Sequence, residues 1–167
     1  MTQALLSIGS NMNHPQLQIE TAFARLKEHF DHVLMSSLYL TEPVGGIPQD
    51  DYINAAIQIE TQQSAQELLL ILMTLEEQAH RNRANQTPNG PRNLDLDIIL
   101  FGDEIVSGSD LTIPHPRYRE RRFVLEPLCE IAPEAIDPQT QQSISRLLEL
   151  CTDENWVQIL DEKVPSL

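Results

Sequence analysis

Apolar positions along this chain recur with two periods, one of two residues and one of about 3.6, and their alternation lays out the elements. Ala4–Ile8 is a short apolar run closed by Gly9-Ser10-Asn11, which predicts a strand followed by a turn. Pro15 suits the first turn of a helix with Asn13 or His14 near its cap, and Ile19, Ala22, Phe23, Leu26 and Phe30 form its apolar stripe. Val33–Leu40 predicts a second strand. Thr41–Asp51 holds Pro43, Gly45, Gly46 and Pro48 and reads as a loop, a long one for a compact domain. Between Tyr52 and Glu60 the alternation is clean, with Ile53, Ala55, Ile57 and Ile59 on one face and Tyr52, Asn54 and Gln58 on the other.

Ser64-Ala65-Gln66-Glu67 is a capping box, and the helix it opens is expected to run to about Arg81 with Leu68, Leu72, Leu75 and Ala79 inward. A polar loop, Asn82–Pro91, precedes a fourth strand, Leu94–Phe101. The order is β-α-β-β-α-β, which predicts an α+β fold: a ferredoxin-like antiparallel sheet with the two helices on one face. A hairpin-like piece at Glu104–Ile113, a helix from about Arg119 to Glu130, a small helix at Ile144–Cys151 and a strand at Trp156–Leu160 extend it. Repeats, low-complexity tracts and linkers are absent, so residues 1–167 are expected to form a single domain.

Composition changes this picture little. The hydrophobic share of 41% is ordinary for a soluble globular chain. No apolar run is long enough to span a membrane, and the N-terminal segment lacks a basic leader pattern, so a cytoplasmic location is expected. Cys129 and Cys151 read as small core residues of a reducing compartment. A net charge of −14 argues against nucleic acid or an anionic membrane as partner. Against that charge the arginines are concentrated in two windows, Arg81, Arg83 and Arg92 in one and Arg117, Arg119, Arg121 and Arg122 in the other. Such windows suggest binding of a small, multiply charged anion.

The segment Gly90-Pro-Arg-Asn-Leu-Asp-Leu-Asp97 carries the sharpest chemical signal. On a strand Asp95 and Asp97 share a face, roughly 7 Å apart along the chain. A half-buried pair of carboxylates is costly without a cation, and a hard divalent ion that also takes phosphate oxygens, such as Mg²⁺, suits it. Arg92 adds a donor fork suited to phosphate. The chain has no P-loop motif and its only lysines are Lys27 and Lys163, so phosphate binding would fall to arginine, histidine and metal.

These segments, in order, resemble the 6-hydroxymethyl-7,8-dihydropterin pyrophosphokinases of folate biosynthesis. The likeness is carried by Ile8-Gly-Ser-Asn11, Thr41-Glu-Pro-Val-Gly45, Asp51-Tyr-Ile-Asn-Ala-Ala56, Gly90–Leu100, Ile113-Pro-His-Pro-Arg117, Arg121–Leu125 and Pro127–Pro133, and it covers about residues 1–138. The resemblance implies transfer of pyrophosphate from the co-substrate ATP to the pterin hydroxymethyl group, leaving AMP. It implies two Mg²⁺ ions held by Asp95 and Asp97, bridging the triphosphate and, at one metal, the pterin hydroxyl. It implies that Arg92 and Arg81 (or Arg83) stabilise phosphoryl charge, that His115 and Arg121 grip the nucleotide phosphates, and that Glu76, Ile98 and Thr112 also meet the nucleotide. For the pterin it implies a sandwich of Tyr52 and Phe123, an edge contact from Asn54, and a pocket completed by Thr41, Pro43, Val44 and Gly45.

Three positions depart from the family's better-known pattern: Asn89 in place of Trp, His80 in place of Gly, and one extra residue in the Arg81–Gly90 loop. The loop is nonetheless expected to close over the triphosphate. A monomer is expected, with small molecules as the partners. The competing readings are another metal-dependent nucleotidyl or glycosyl transferase using the D-x-D pair, and a non-catalytic binding module of the same fold.

Overall fold

The computed structural model describes residues 1–79 and 93–160. Strand β1 (Thr2–Ser10) leads to helix α1 (Pro15–His29), followed by β2 (His32–Met35), β3 (Tyr39–Thr41) and β4 (Tyr52–Thr61). Helix α2 (Ala65–Gln78) precedes β5 (Asp95–Phe101), the short pair β6 (Val106–Ser107) and β7 (Thr112–Ile113), and α3 (Arg122–Ile131). Helix α4 (Ile144–Leu150) and strand β8 (Val157–Ile159) complete the described chain.

The main sheet has the order β5-β1-β4-β3-β8, with β2 also on β4, and every pairing is antiparallel. This is the α+β arrangement that the element order predicts. The even positions of β1 and the odd positions of β4 (Ala4, Leu6 and Ile8 with Ala55, Ile57 and Ile59) pack with Ile19, Leu26, Leu68 and Leu72 of α1 and α2. Leu5, Ala56, Ile99 and Leu100 point the other way and pack with Val124, Leu125 and Leu128 of α3 and Ile144 of α4. The sheet therefore carries helices on both faces: α1 and α2 on one, as expected, α3 and α4 on the other. A bulge makes this work: Leu5 pairs with Leu100 but Leu6 with Ile98, so Ile99 is the extra residue and the facing of β5 reverses beyond it.

Local chemistry explains the element ends. Ser64 Oγ accepts the Glu67 N–H at 3.1 Å and Glu67 Oε1 accepts the Ser64 N–H at 2.9 Å, the reciprocal pair the capping box predicts. Two expected elements are corrected. The single strand Val33–Leu40 is two strands: the Ser36 N–H still donates to the Ala56 carbonyl at 2.9 Å, but the Ala56 N–H goes to Ser36 Oγ at 2.9 Å, so regular pairing stops there. The helix expected from Arg119 starts later: Tyr118–Glu120 is a 3₁₀ turn, and α3 begins at Arg122. The two cysteines are free and half-buried against the α3 and α4 core, close to their expected role. Among the described residues no helix is long and apolar enough to cross a membrane.

Candidate functional site

The face of the sheet under α3 is apolar at one end only. Beyond Leu5 and Ala56 it turns polar and forms the floor of a cavity of about 150 Å³. The strand registers put its residues in rows: Asn54 of β4 pairs with Gly9 of β1, which pairs with Asp95 of β5, and in the next row Ser7 pairs with Asp97. The cavity is lined by these five residues, by Tyr52, by Thr41, Glu42, Pro43 and Val44, and by Arg121, Phe123 and Val124 at the start of α3.

Asn54 is buried, and its Nδ2 donates to Thr41 Oγ1 at 2.6 Å, so the amide plane is fixed from β3. A Cβ built on Gly9 would lie 2.3 Å from Asn54 Oδ1, far inside contact distance. Gly9 is thus a gap in β1 that lets the Asn54 amide lie across the strand. The loop after β3 is anchored from the end of β1, where Asn11 Nδ2 donates to Gln49 Oε1 at 2.8 Å and to the Asp50 carbonyl at 2.9 Å. Gly45 and Gly46 of that loop have φ of 96° and 71°, a left-handed turn that glycine adopts without strain.

Asp95 and Asp97 are half-buried and project from one face of β5 into the cavity. Among the described residues no group of three or more His, Cys, Asp and Glu converges as a closed metal cage. A pair of hard carboxylates with open space beside it fits an ion that completes its shell with water and phosphate oxygens, and Mg²⁺ is such an ion. Arg121 shares this wall, its guanidinium 5.6 Å from the Phe123 ring centroid. His115 lies within electrostatic reach of both Arg121 and Asp95. Its Nδ1 accepts the Arg117 N–H at 3.1 Å, which leaves the proton on Nε2 as a donor. Burial, with the charges of Arg121 and Arg117, lowers its pKa to about 4 against a weaker upward pull from Asp95, so the ring is neutral at pH 7.

Of the residues expected at the site, Thr41, Pro43, Val44, Tyr52, Asn54, Asp95, Asp97, Arg121 and Phe123 are brought together around this cavity. Gly45, Glu76, Ile98, Thr112 and His115 are not among its lining. Glu76 is buried, and its Oε2 accepts the Leu96 N–H at 2.9 Å, which ties α2 to the strand carrying the aspartates. The Ile98 side chain belongs to the core on the opposite face and does not face the cavity. Thr112 is exposed on β7. Arg81, Arg83, Arg92 and the expected Asn82–Pro91 lid lie outside the described residues, as do His80 and Asn89.

The four arginines of the second window are not equivalent. Arg119 Nε donates to Asp137 Oδ2 at 2.7 Å, and Arg122 Nε to the Asp153 carbonyl at 3.0 Å, so both are committed to internal bonds. Arg121 alone of the four lines the cavity. Ser7 and Val124 also line the cavity without a sequence signal, and Gly9, expected to open a turn, lies inside β1, which runs on to Ser10. The signal for Gly9 was present, since an isolated glycine in an apolar strand marks close approach of another group.

A family model described as 7,8-dihydro-6-hydroxymethylpterin-pyrophosphokinase (HPPK) matches residues 5–133. A Haemophilus influenzae protein named 2-amino-4-hydroxy-6-hydroxymethyldihydropteridine pyrophosphokinase is 37% identical over 161 residues, 95% of this chain and 99% of its own length. A Bacillus subtilis protein of the same name is 37% identical over 145 residues, covering 83% of this chain and 86% of its own. Among solved structures, wild-type HPPK-DHPS of Plasmodium falciparum with pteroate superposes with a TM-score of 0.71 over 90% of this chain at 15% identity, a likeness of fold. This chain spans 42% of that longer one.

Proposed function

The chain belongs to the 7,8-dihydro-6-hydroxymethylpterin-pyrophosphokinase family, and from that premise we infer how its cavity serves the reaction. The enzyme transfers pyrophosphate from ATP to 6-hydroxymethyl-7,8-dihydropterin in folate biosynthesis, giving AMP and the pterin diphosphate. The bond that breaks joins the β-phosphorus to the oxygen of the α-phosphate, and the bond that forms joins the same phosphorus to the pterin hydroxymethyl oxygen. The protein must therefore hold a flat heterocycle and a triphosphate with those two oxygens in line.

The observation that carries the assignment of residues is the convergence of two kinds of wall on one small cavity. Tyr52 and Phe123 offer aromatic faces, and Asn54 offers an amide already oriented by Thr41. A pterin ring stacks on the first and is registered by the second. Asp95 and Asp97 face the same space and would hold Mg²⁺. Bound there with ATP, Mg²⁺ would neutralise phosphate charge and lower the pKa of the attacking hydroxyl. Arg121 and the Nε2–H of His115 are the described groups suited to nucleotide phosphates. Arg92 with Arg81 or Arg83 would meet the transferred group, on the strength of the family likeness.

The test is incubation of the protein with ATP, Mg²⁺ and 6-hydroxymethyl-7,8-dihydropterin. AMP and pterin diphosphate are expected in equal amounts; ADP as the main product would overturn the assignment. A D-x-D transferase of another kind would instead turn over a nucleotide sugar and release no AMP.

A further inference from the structure

We propose that the segment 151–160, and Asp153 within it, is a positioning strap that holds the two side walls of the pterin pocket at a fixed separation. The proposal rests on the pterin reading above. The segment lies beyond the residues that the family model matches.

One wall is the start of α3, with Arg121, Phe123 and Val124; the other is the end of β3 and its loop, with Thr41, Glu42, Pro43 and Val44. At the far end of α3 the two are tied by Tyr39 Oη, which donates to Glu130 Oε1 at 2.6 Å. At the cavity end they are joined through the strap. Asp153 Oδ2 accepts the Arg122 backbone N–H at 3.0 Å, capping α3 from outside the helix. Arg121, at the N-cap position, makes no side-chain cap bond, and its side chain faces the cavity. The Arg122 guanidinium returns the grip, donating to the Asp153 carbonyl at 3.0 Å and to the Cys151 carbonyl at 3.2 Å.

The other half of the strap seizes the opposite wall. Asp153 Oδ1 accepts from Asn155 N and Nδ2 at 2.9 and 2.8 Å, which turns the chain into β8. There the Glu42 N–H donates to the Trp156 carbonyl at 3.1 Å, and the Trp156 N–H donates to Glu42 Oε1 at 3.2 Å. Val157 pairs with Thr41, and the Leu160 N–H donates to the Leu38 carbonyl at 2.9 Å. An unbroken run of bonds thus leads from the residue beside Phe123 to Thr41, the residue that orients the Asn54 amide.

Stacking is steep in distance, because a gap of 0.5–1 Å forfeits about a quarter to a half of a dispersion contact. A ring in a sandwich feels a displaced wall more than a phosphate held by a flexible guanidinium does. Asp153→Ala should therefore weaken binding of the oxidised analogue 6-hydroxymethylpterin, measured without ATP, by about three- to tenfold, and binding of a non-hydrolysable ATP analogue by less. Calorimetry on the full chain reads both. Asp153→Asn keeps one acceptor and should fall between wild type and Asp153→Ala. If Asp153→Ala lacks a folded thermal transition, Asp153→Asn is read in its place. In a Phe123→Ala background the same substitution should cost less than half as much, because the ring it positions is gone.

Folded Asp153 variants that bind the pterin as wild type does would overturn the strap. So would equal losses for pterin and nucleotide, or full additivity with Phe123→Ala. Failure of the activity itself reads differently: wild-type protein that yields ADP overturns the proposed reaction, whereas active wild type with indifferent Asp153 variants overturns the strap alone.

Discussion

Gly9 does not sit in the left-handed region, so its value lies in space rather than backbone freedom: a Cβ there would meet Asn54 Oδ1 at 2.3 Å. Asn54 has little room to retreat, being buried and bonded to Thr41. Gly9→Ala should therefore tilt the amide, cost about 1–3 kcal/mol of stability as overpacking does, and weaken pterin binding more than ATP binding. Titrations with each ligand decide it, and equal losses would mark Gly9 as ordinary strand packing. Asp95→Asn and Asp97→Asn are expected to remove most turnover, since each withdraws a carboxylate from the strand face that would hold Mg²⁺. Near-wild-type activity of both at ordinary Mg²⁺ would contradict the metal role. At this scale the sequence was legible for the aspartates, because side chains two apart on a strand must share a face. It was silent on Arg119 and Arg122, whose carboxylate and carbonyl acceptors lie 18 and 31 residues away.

Among the elements, the 3₁₀ turn Tyr118–Glu120 is set by one buried acid. Asp137 Oδ2 accepts Tyr118 Oη at 2.5 Å and Arg119 Nε at 2.7 Å, while Oδ1 accepts the backbone N–H of Gln139 and of Thr140. Asp137→Ala would strand a buried phenol and a guanidinium, and should cost about 3 kcal/mol in urea unfolding. Burial alone would raise the Asp137 pKa, but the bonds from Arg119, Tyr118 and the two amides outweigh it and hold the carboxyl below its usual range. The unfolded chain then takes up this proton at a higher pH than the folded one. The stabilisation is complete above about pH 4 and lost as pH falls through the lowered folded value. The stability gap between wild type and Asp137→Ala should accordingly narrow below about pH 4; a gap independent of pH would show that Asp137 acts by packing alone. The local elements themselves were readable from capping chemistry and periodicity. The break at Ser36 was not, because it depends on the Ala56 N–H across the sheet.

For the whole molecule, one sheet serves two cores, with Leu6 buried against α1 and α2 and its neighbour Leu5 buried against α3 and α4. Leu5→Ala and Leu6→Ala should each cost about 2–5 kcal/mol and still give a single unfolding transition. Trp156, the only tryptophan, sits in the strap beside β8, so its fluorescence should melt together with the far-ultraviolet helix signal. A fluorescence change that precedes the loss of helix would show the strap detaching on its own. By itself the sequence determined the order of elements, the inward faces of β4 and α2, and the paired aspartates, because these follow from dihedral periodicity and from bonds within a few residues. The tertiary structure alone decided which polar face became a cavity. That outcome needed the bulge at Ile99, the seating of α3 over half of one sheet face, and contacts such as Trp156 to Glu42, 114 residues apart, whose partners no local pattern names.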